Sequence, residues 1–275
     1  DANTTGTNNS ALGLHTLGAN TTGSSNTALG ASALYSNTTA SENVAVGSSA
    51  GRGGTTSTGN TDVGYRAGYS TTTGYQNTRL GIDAGYGNTT AYNNVHIGIN
   101  SGYGNTTGAE NVTMGLLAGR YMASSNYNTF LGSRAGYQAT SSENVCIGAY
   151  TGVSFTSSYH NTIIGYNAQT NHPSNGNTEN VIGHGVTGIG SGYNTLGGNA
   201  NRSYNQQGSA SWAGTSDERL KTDVVNEPLG LSFINDLRPV KFKWKKKKDV
   251  DSSTFPTIYE EGSEERVQPT EHGVD

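Results

Sequence analysis

Cysteine is almost absent from this 275-residue chain. Cys146 stands alone, which excludes an intrachain disulfide framework and a cysteine-based zinc cluster. Proline is missing before Pro173, so nothing upstream interrupts a ladder of strand hydrogen bonds. No apolar run approaches the roughly 18 residues that span a bilayer, so membrane insertion is not expected. Hydrophobic residues make up only 32% of the chain, too little for one large globular core, and at 13% the charged fraction is also well below that of a globular domain. A net charge of only −4 and sixteen tyrosines do not fit the composition of a disordered chain either. The six histidines show no metal-ligand spacing, and no cofactor is expected. The chain opens on Asp1 with no signal-like segment and reads as a fragment.

What is abundant is glycine, forty residues of it, set among Asn, Thr and Ser, as in a fibrous or repeat protein. Charge is unevenly placed. Residues 1–215 hold six of the sixteen Lys and Arg and seven of the twenty Asp and Glu. A composition boundary therefore lies near Gly214.

The pattern Asn-(Thr/Val/Ser)-x-(Leu/Val/Ile/Met)-Gly recurs at Asn9, Asn26, Asn43, Asn60, Asn77, Asn94, Asn111, Asn128, Asn144 and Asn161. Every step is seventeen residues except Asn128 to Asn144, which is sixteen. Looser copies follow at Asn180 and Asn194. Three residues after each Asn stands a large aliphatic: Leu12, Leu29, Val46, Val63, Leu80, Ile97, Met114, Leu131, Ile147, Ile164. The residue before it is unconstrained, with Asp62, Arg79, His96, Phe130 and Cys146 among its occupants. Period-two alternation predicts a short strand with the aliphatic face buried and the variable face exposed. Seven after the Asn, a small Ala, Ser or Thr marks a second inward position. The Gly four after it ends the strand where the backbone turns or meets a neighbour closely. Stacked Asn amides can bond to each other.

Seventeen residues are too few for a helical repeat and suit one coil of a β-solenoid. At about 3.3 Å per residue the coil has a contour of roughly 56 Å. A rod that thin buries few side chains, so several chains are expected side by side. The stacking places Val63 over Leu80 and Leu80 over Ile97, and pairs Asp62 with Arg79 and Arg66 with Asp83.

Segments such as NVAVGSSAG and NTFLGSRAG resemble the head repeats of trimeric autotransporter adhesins and the similar repeats of phage tail fibres. The resemblance covers about residues 1–170 and implies a homotrimer.

The stretch 216–249, SDERLKTDVVNEPLGLSFINDLRPVKFKWKKKKD, resembles the start of the intramolecular chaperone domain at the C-terminus of phage endosialidases and tail fibres. The shared features are SDERLK, the spaced Gly230, Ile234, Leu237 and Pro239, and the run Phe242, Lys243, Trp244. In that family the domain assembles the trimer and then removes itself through a serine–lysine dyad, which the resemblance carries onto Ser216 and Lys221. Such a serine needs a base to take its proton, and a lysine serves only when its pKa is lowered. The five-residue offset demands a turn between them, or partners from adjacent chains. The family domain continues into a longer helical portion; this chain stops at Asp275, so the chaperone is expected to be incomplete here.

Other features have structural readings. Five Asn-Thr-Thr sequons, at Asn3, Asn20, Asn37, Asn88 and Asn105, share one repeat column. Gly188, Gly190 and Gly192 lack the strand–turn–helix setting of a dinucleotide site. Lys245–Lys248, beside Asp249 and Asp251, reads as a solvated charge run, so no nucleic-acid partner is expected. Cys146 reads as an exposed bystander. Glu42, Glu110, Glu143 and Glu179 each precede a motif Asn and mark one column, which argues against a carboxylate pair for glycan cleavage. Nine after the Asn runs a line of Tyr35, Tyr69, Tyr86, Tyr103 and Tyr137 with Arg52 and Arg120. It is either a packing ladder or a surface that stacks on sugar rings.

The expectation is an all-β, slender β-solenoid of 17-residue coils in a homotrimeric fibre. Residues 1–172 form the rod, 173–215 an irregular neck, and 216–275 a small mixed segment, the N-terminal part of the autoprocessing chaperone. The expected role is a phage tail fibre displaying a host-receptor-binding end, with a bacterial trimeric cell-surface adhesin as the alternative. Its partners would be copies of itself, other tail proteins, and a host surface glycan or outer-membrane protein. Its place would be the virion, after synthesis in the host cytoplasm. No substrate-directed activity is expected, only self-cleavage at Ser216.

Overall fold

The structure is a computed structural model and describes residues 2–154, 156–171, 178–198, 201–211, 213–214, 246–249, 261 and 264. The chain divides into two units, residues 1–216 and 217–275. The first is an all-β solenoid of about eleven coils. Eleven strands stack in parallel: β1 (Ser10–Leu12), β2 (Thr27–Leu29), β3 (Val44–Val46), β4 (Thr61–Val63), β5 (Thr78–Leu80), β6 (Val95–Ile97), β7 (Val112–Met114), β8 (Thr129–Leu131), β9 (Val145–Ile147), β10 (Thr162–Ile164) and β11 (Asn180–Ile182). Three more strands, β12 (Tyr193–Gly197), β13 (Arg202–Gln206) and β14 (Ala213–Gly214), lie in the stretch expected to be irregular. β12 joins β11 in parallel, and β13 and β14 then reverse direction, so the sheet ends as an antiparallel meander. Pro173 lies outside the described residues. In the second unit the described residues include one short 3-10 turn, Lys247–Asp249.

The expected stacking is borne out: Val63 pairs with Leu80 and Leu80 with Ile97. An amide ladder fixes this register. The Asn77 backbone N–H and its Nδ2 both donate to Asn60 Oδ1 at 3.0 Å, and Nδ2 also reaches the Ala91 carbonyl at 2.9 Å. Every motif asparagine from Asn26 to Asn161 repeats the link to its predecessor's Oδ1. These side chains are buried, so each amide satisfies donors and acceptors that no water can reach.

Each coil closes through left-handed turns, as at Asp83 (φ 54°) and Gln76 (φ 54°). The Gly after each strand is a stricter requirement. Gly81 has φ 137°, and a Cβ there would stand 2.7 Å from the Gly98 carbonyl carbon and oxygen. Only a hydrogen side chain fits both the angle and the approach. The sixteen-residue coil loses its residue from an exposed bend: Thr140 Oγ1 still donates to Thr156 O and Ser141 Oγ to Ser158 O. The strands on either side keep register, with Phe130 opposite Cys146.

The inside–outside sense of the strand is the reverse of the expectation. The variable middle residue points into the coil: Arg79, His96, Phe130, Cys146 and Ile163 are all 0% exposed. Cys146 is thus a buried free thiol, not an exposed bystander. The large aliphatics point outward, with Leu12 70%, Leu80 47% and Met114 43% exposed. The physical reason is the narrow lumen. It is already lined by the Asn ladder and by Ala33, Ala50, Ala67, Ala84, Ala118 and Ala135. One side chain per strand fills what remains.

Lumen volume is shared between two columns. In the first coils Ala28 faces inward and Leu34, further along the same coil, fills the space. From Gly51 onward the Leu is replaced by Gly. A Cβ on Gly102 would lie 2.3 Å from His96 Nδ1, and one on Gly136 2.6 Å from the Phe130 ring. Bulk moves from one column to the other, and packing stays close.

Asn180 and Asn194 are not ladder asparagines. Asn180 pairs with Thr162, one residue past the ladder position, and Asn194 pairs with Asn180. Glu179 takes the ladder place instead. Its backbone N–H donates to Asn161 Oδ1 at 2.9 Å, and its carboxylate accepts the Gly190 N–H at 2.8 Å. Glu179 is fully buried, unlike the exposed Glu42, Glu110 and Glu143, so the four do not form one column.

Candidate functional site

Three built features stand out on the rod: its outward sheet face, its aromatic ladder and a polar section of its lumen.

The outward face follows from the strand alternation. Its first column holds Thr or Val, as at Thr61, Thr78 and Val95, and its second holds the large aliphatics. A third, five after the Asn, includes Leu14, Tyr65, Ile82, Ile99, Leu116 and Tyr166. Ile82 is 46% and Leu116 48% exposed. Ten rungs about 4.8 Å apart, each with three residues about 3.3 Å long, make a strip of about 500 Å² before the third column is added. That puts it among the larger apolar patches of a monomer surface, which are often interaction sites.

The tyrosine line is a ladder in which rings cover rings. Tyr69 and Tyr86 stack at 5.1 Å and 3°, and Tyr86 and Tyr103 at 5.0 Å and 5°. Arg52 lies between Tyr35 and Tyr69, 5.2 Å and 5.5 Å from their centroids, and its Nη1 donates to the Tyr69 hydroxyl at 2.9 Å. Arg120 covers the far side of Tyr103 at 5.4 Å. The ring faces are thereby occupied within the chain, which favours the packing reading over sugar stacking.

The lumen of β4–β7 is polar. Arg79 Nε donates to Asp62 Oδ1 at 2.5 Å and Nη2 to Oδ2 at 3.1 Å, while Nη1 reaches Thr71 Oγ1 at 2.8 Å. Burial lifts the Asp62 carboxyl above its usual range, and the Arg79 charge and hydrogen bond pull it back. One coil on, His96 Nδ1 meets Thr113 Oγ1 at 2.7 Å. Burial, and secondarily the Arg79 charge, lowers the His96 pKa to about 3. The second expected pair, Arg66 with Asp83, is bidentate at 2.8 Å and more exposed.

His96 gives the rod an acid dependence. Between pH 6.5 and about 3 the unfolded chain protonates this histidine while the folded chain holds it neutral, so stability falls as pH falls through that window. The loss is about 1.4 kcal/mol per pH unit, or about 2 kcal/mol at pH 5, above the range where ordinary carboxylates titrate. In His96→Thr this part of the slope should vanish. Denaturant midpoints at pH 7 and pH 5 check it, and an unchanged slope in the variant would refute the assignment.

No group of three or more His, Cys, Asp or Glu comes together as a metal site among the described residues. Asp62 and Asp83 are committed to arginines and Glu143 pairs with His160. In the second unit Lys246 and Lys248 both bond Glu264 and hold its carboxyl low, at about 2. Ser216 and Lys221 lie outside the described residues, as do Gly230, Ile234, Leu237, Pro239, Phe242, Lys243 and Trp244. The sequence reading missed the outward face because the same alternation fits either sense of burial. The complementary columns, Ala with Leu and bulk with Gly, were the available signal.

Residues 216–257 match the family model described as the chaperone of endosialidase. No curated protein and no solved structure matches the chain.

Proposed function

We propose that this chain is part of a homotrimeric phage tail fibre: a solenoid rod joined to a chaperone that assembles it and then cuts itself off. The observation that carries the reading is the outward apolar face. An apolar strip running the length of a rod needs a partner of equal length, and another copy of the chain supplies one. Because all the coils are parallel, copies related by rotation about an axis parallel to the rod bring identical strips together in a closed assembly. The family match at 216–257 supports three copies, the state in which that chaperone works. The rod is then a spacer on the virion, and residues 173–215 become the exposed end that meets a host surface glycan or outer-membrane protein. Ser216 and Lys221 carry the cut.

Light scattering should return three times the 28.6 kDa chain mass. Leu80→Asp with Ile97→Asp should lower that mass, because each aliphatic forfeits roughly 1.5–3 kcal/mol of burial in every copy. Thr73→Asp, on an exposed bend, should leave it unchanged. A monomer mass for the unaltered chain overturns the trimer.

A further inference from the structure

The stacked tyrosines have chemistry that packing alone does not use. Tyr69, Tyr86 and Tyr103 form one continuous stack, and Tyr75 and Tyr92 form a second at 5.0 Å and 4°. These rings are held parallel by the hydrogen-bonded coils beneath them, one rung per ring. Arg52 covers the outer face of Tyr69 and Arg120 that of Tyr103. The rings of the first stack therefore meet each other face to face, and Arg66 approaches Tyr86 at 5.1 Å from its centroid.

We infer that these two stacks are sites of oxidative tyrosine cross-linking, joining adjacent coils through Tyr69–Tyr86, Tyr86–Tyr103 and Tyr75–Tyr92. The oxidant class is a peroxide acting through a one-electron carrier. Each phenol gives up one electron and one proton to become a phenoxyl radical. Two radicals join through ring carbons ortho to oxygen, and the two displaced ring hydrogens move to the oxygens as the rings become aromatic again. One hydrogen peroxide takes up the two electrons and two protons and leaves as two waters. The bridged pair is lighter by two hydrogens.

Proximity decides the partner. A radical on Tyr86 has a ring beside it on either face, whereas another molecule in a micromolar solution is dilute. Tethered neighbours act at effective concentrations of about millimolar or more, roughly a thousandfold above that. Bridges should therefore form within the chain. Tyr127, 55% exposed and without a stacked tyrosine among the described residues, is an internal control.

The test is to treat the full chain with hydrogen peroxide and a haem peroxidase, then measure dityrosine fluorescence and map tryptic peptides. Cleavage after Arg66, Arg79 and Arg120 places Tyr69 and Tyr75 in peptide 67–79, and Tyr86, Tyr92 and Tyr103 in peptide 80–120. The expected product is 67–79 linked to 80–120, together with an internal bridge in 80–120. Tyr86→Phe keeps the ring stack and should lose the internal bridge, because Tyr103 then has no phenol stacked on it, while Tyr69 and Tyr103 stand about 10 Å apart and cannot join. Adding Tyr92→Phe should abolish the linked peptide altogether. The bridged rod should unfold at a higher temperature than the untreated one. The inference is overturned if the linked peptide survives in the double variant, if Tyr127 dominates the products, or if the bridges join separate chains.

Discussion

Asp62→Ala should destabilise the rod by about 3–5 kcal/mol, the usual cost of leaving a buried charge without its partner. Arg79 is 0% exposed and cannot reach water without opening the coil. Without Asp62 its Nε and Nη2 lose their acceptors, and only the Nη1 bond to Thr71 remains. The converse change, Arg79→Met, should cost less. Burial already lifts the Asp62 carboxyl, so an orphaned Asp62 can take up a proton and become neutral. Asp62→Val with Arg79→Met fills the lumen with apolar side chains and should recover most of the loss, since apolar replacement of a buried pair is often neutral or stabilising. Denaturant unfolding at pH 7 of the unaltered chain, Asp62→Val, Arg79→Met and the double variant closes the cycle. Strict additivity would mean that the two residues are independent. Arg66–Asp83, with side-chain exposures of 35% and 11%, should by contrast contribute far less, because water screens it.

That pair also shows where sequence reasoning succeeded and where it inverted. Asp62 and Arg79 were matched correctly because they lie seventeen residues apart, and the repeat length alone sets that adjacency. Their burial was not legible. Ionisable side chains are rarely buried unless paired, so a column holding Asp62, Arg79 and His96 reads as surface. Alternation reports two faces without saying which one looks inward. The size argument resolves it: a lumen lined by the asparagine ladder has no room for ten large aliphatics. Asn180 failed for a different reason. Its string, Asn-Val-Ile-Gly, is one residue short of the motif; four residues before Gly183 stands Glu179, which holds the ladder position through its own backbone N–H.

The same inversion changes the functional reading. An inward aliphatic column would leave only the thinness of the coil to argue for association of several chains. With Leu80 and Met114 exposed, the sequence of the repeat itself encodes an outward apolar face, the observation on which the proposed association rests. The face was absent from the sequence reading, whereas the tail motif was legible from its residues alone and coincides with the matched segment, 216–257.

Ser216→Ala and Lys221→Ala should each leave the full-length gene product uncut, while the unaltered product yields a fragment beginning near Ser216. In the proposed reaction Ser216 Oγ adds to the Thr215 carbonyl carbon as Lys221 Nζ takes the hydroxyl proton. The Thr215–Ser216 C–N bond then breaks, the proton passes to the departing amine, and water hydrolyses the resulting ester. Lysine can accept a proton near neutral pH only if its pKa is lowered from about 10, so cleavage should accelerate as pH rises until that pKa is passed. Members of such a pair act as a unit, and losing either removes nearly all the rate. Assembly should survive both substitutions, because the rod's ladder and apolar face contain neither residue. Band sizes on denaturing gels, with light scattering of the uncut variants, separate the two steps. An intact unaltered chain that still forms trimers would leave the fibre standing and remove the protease. Cleavage that persists in Ser216→Ala would move the nucleophile elsewhere.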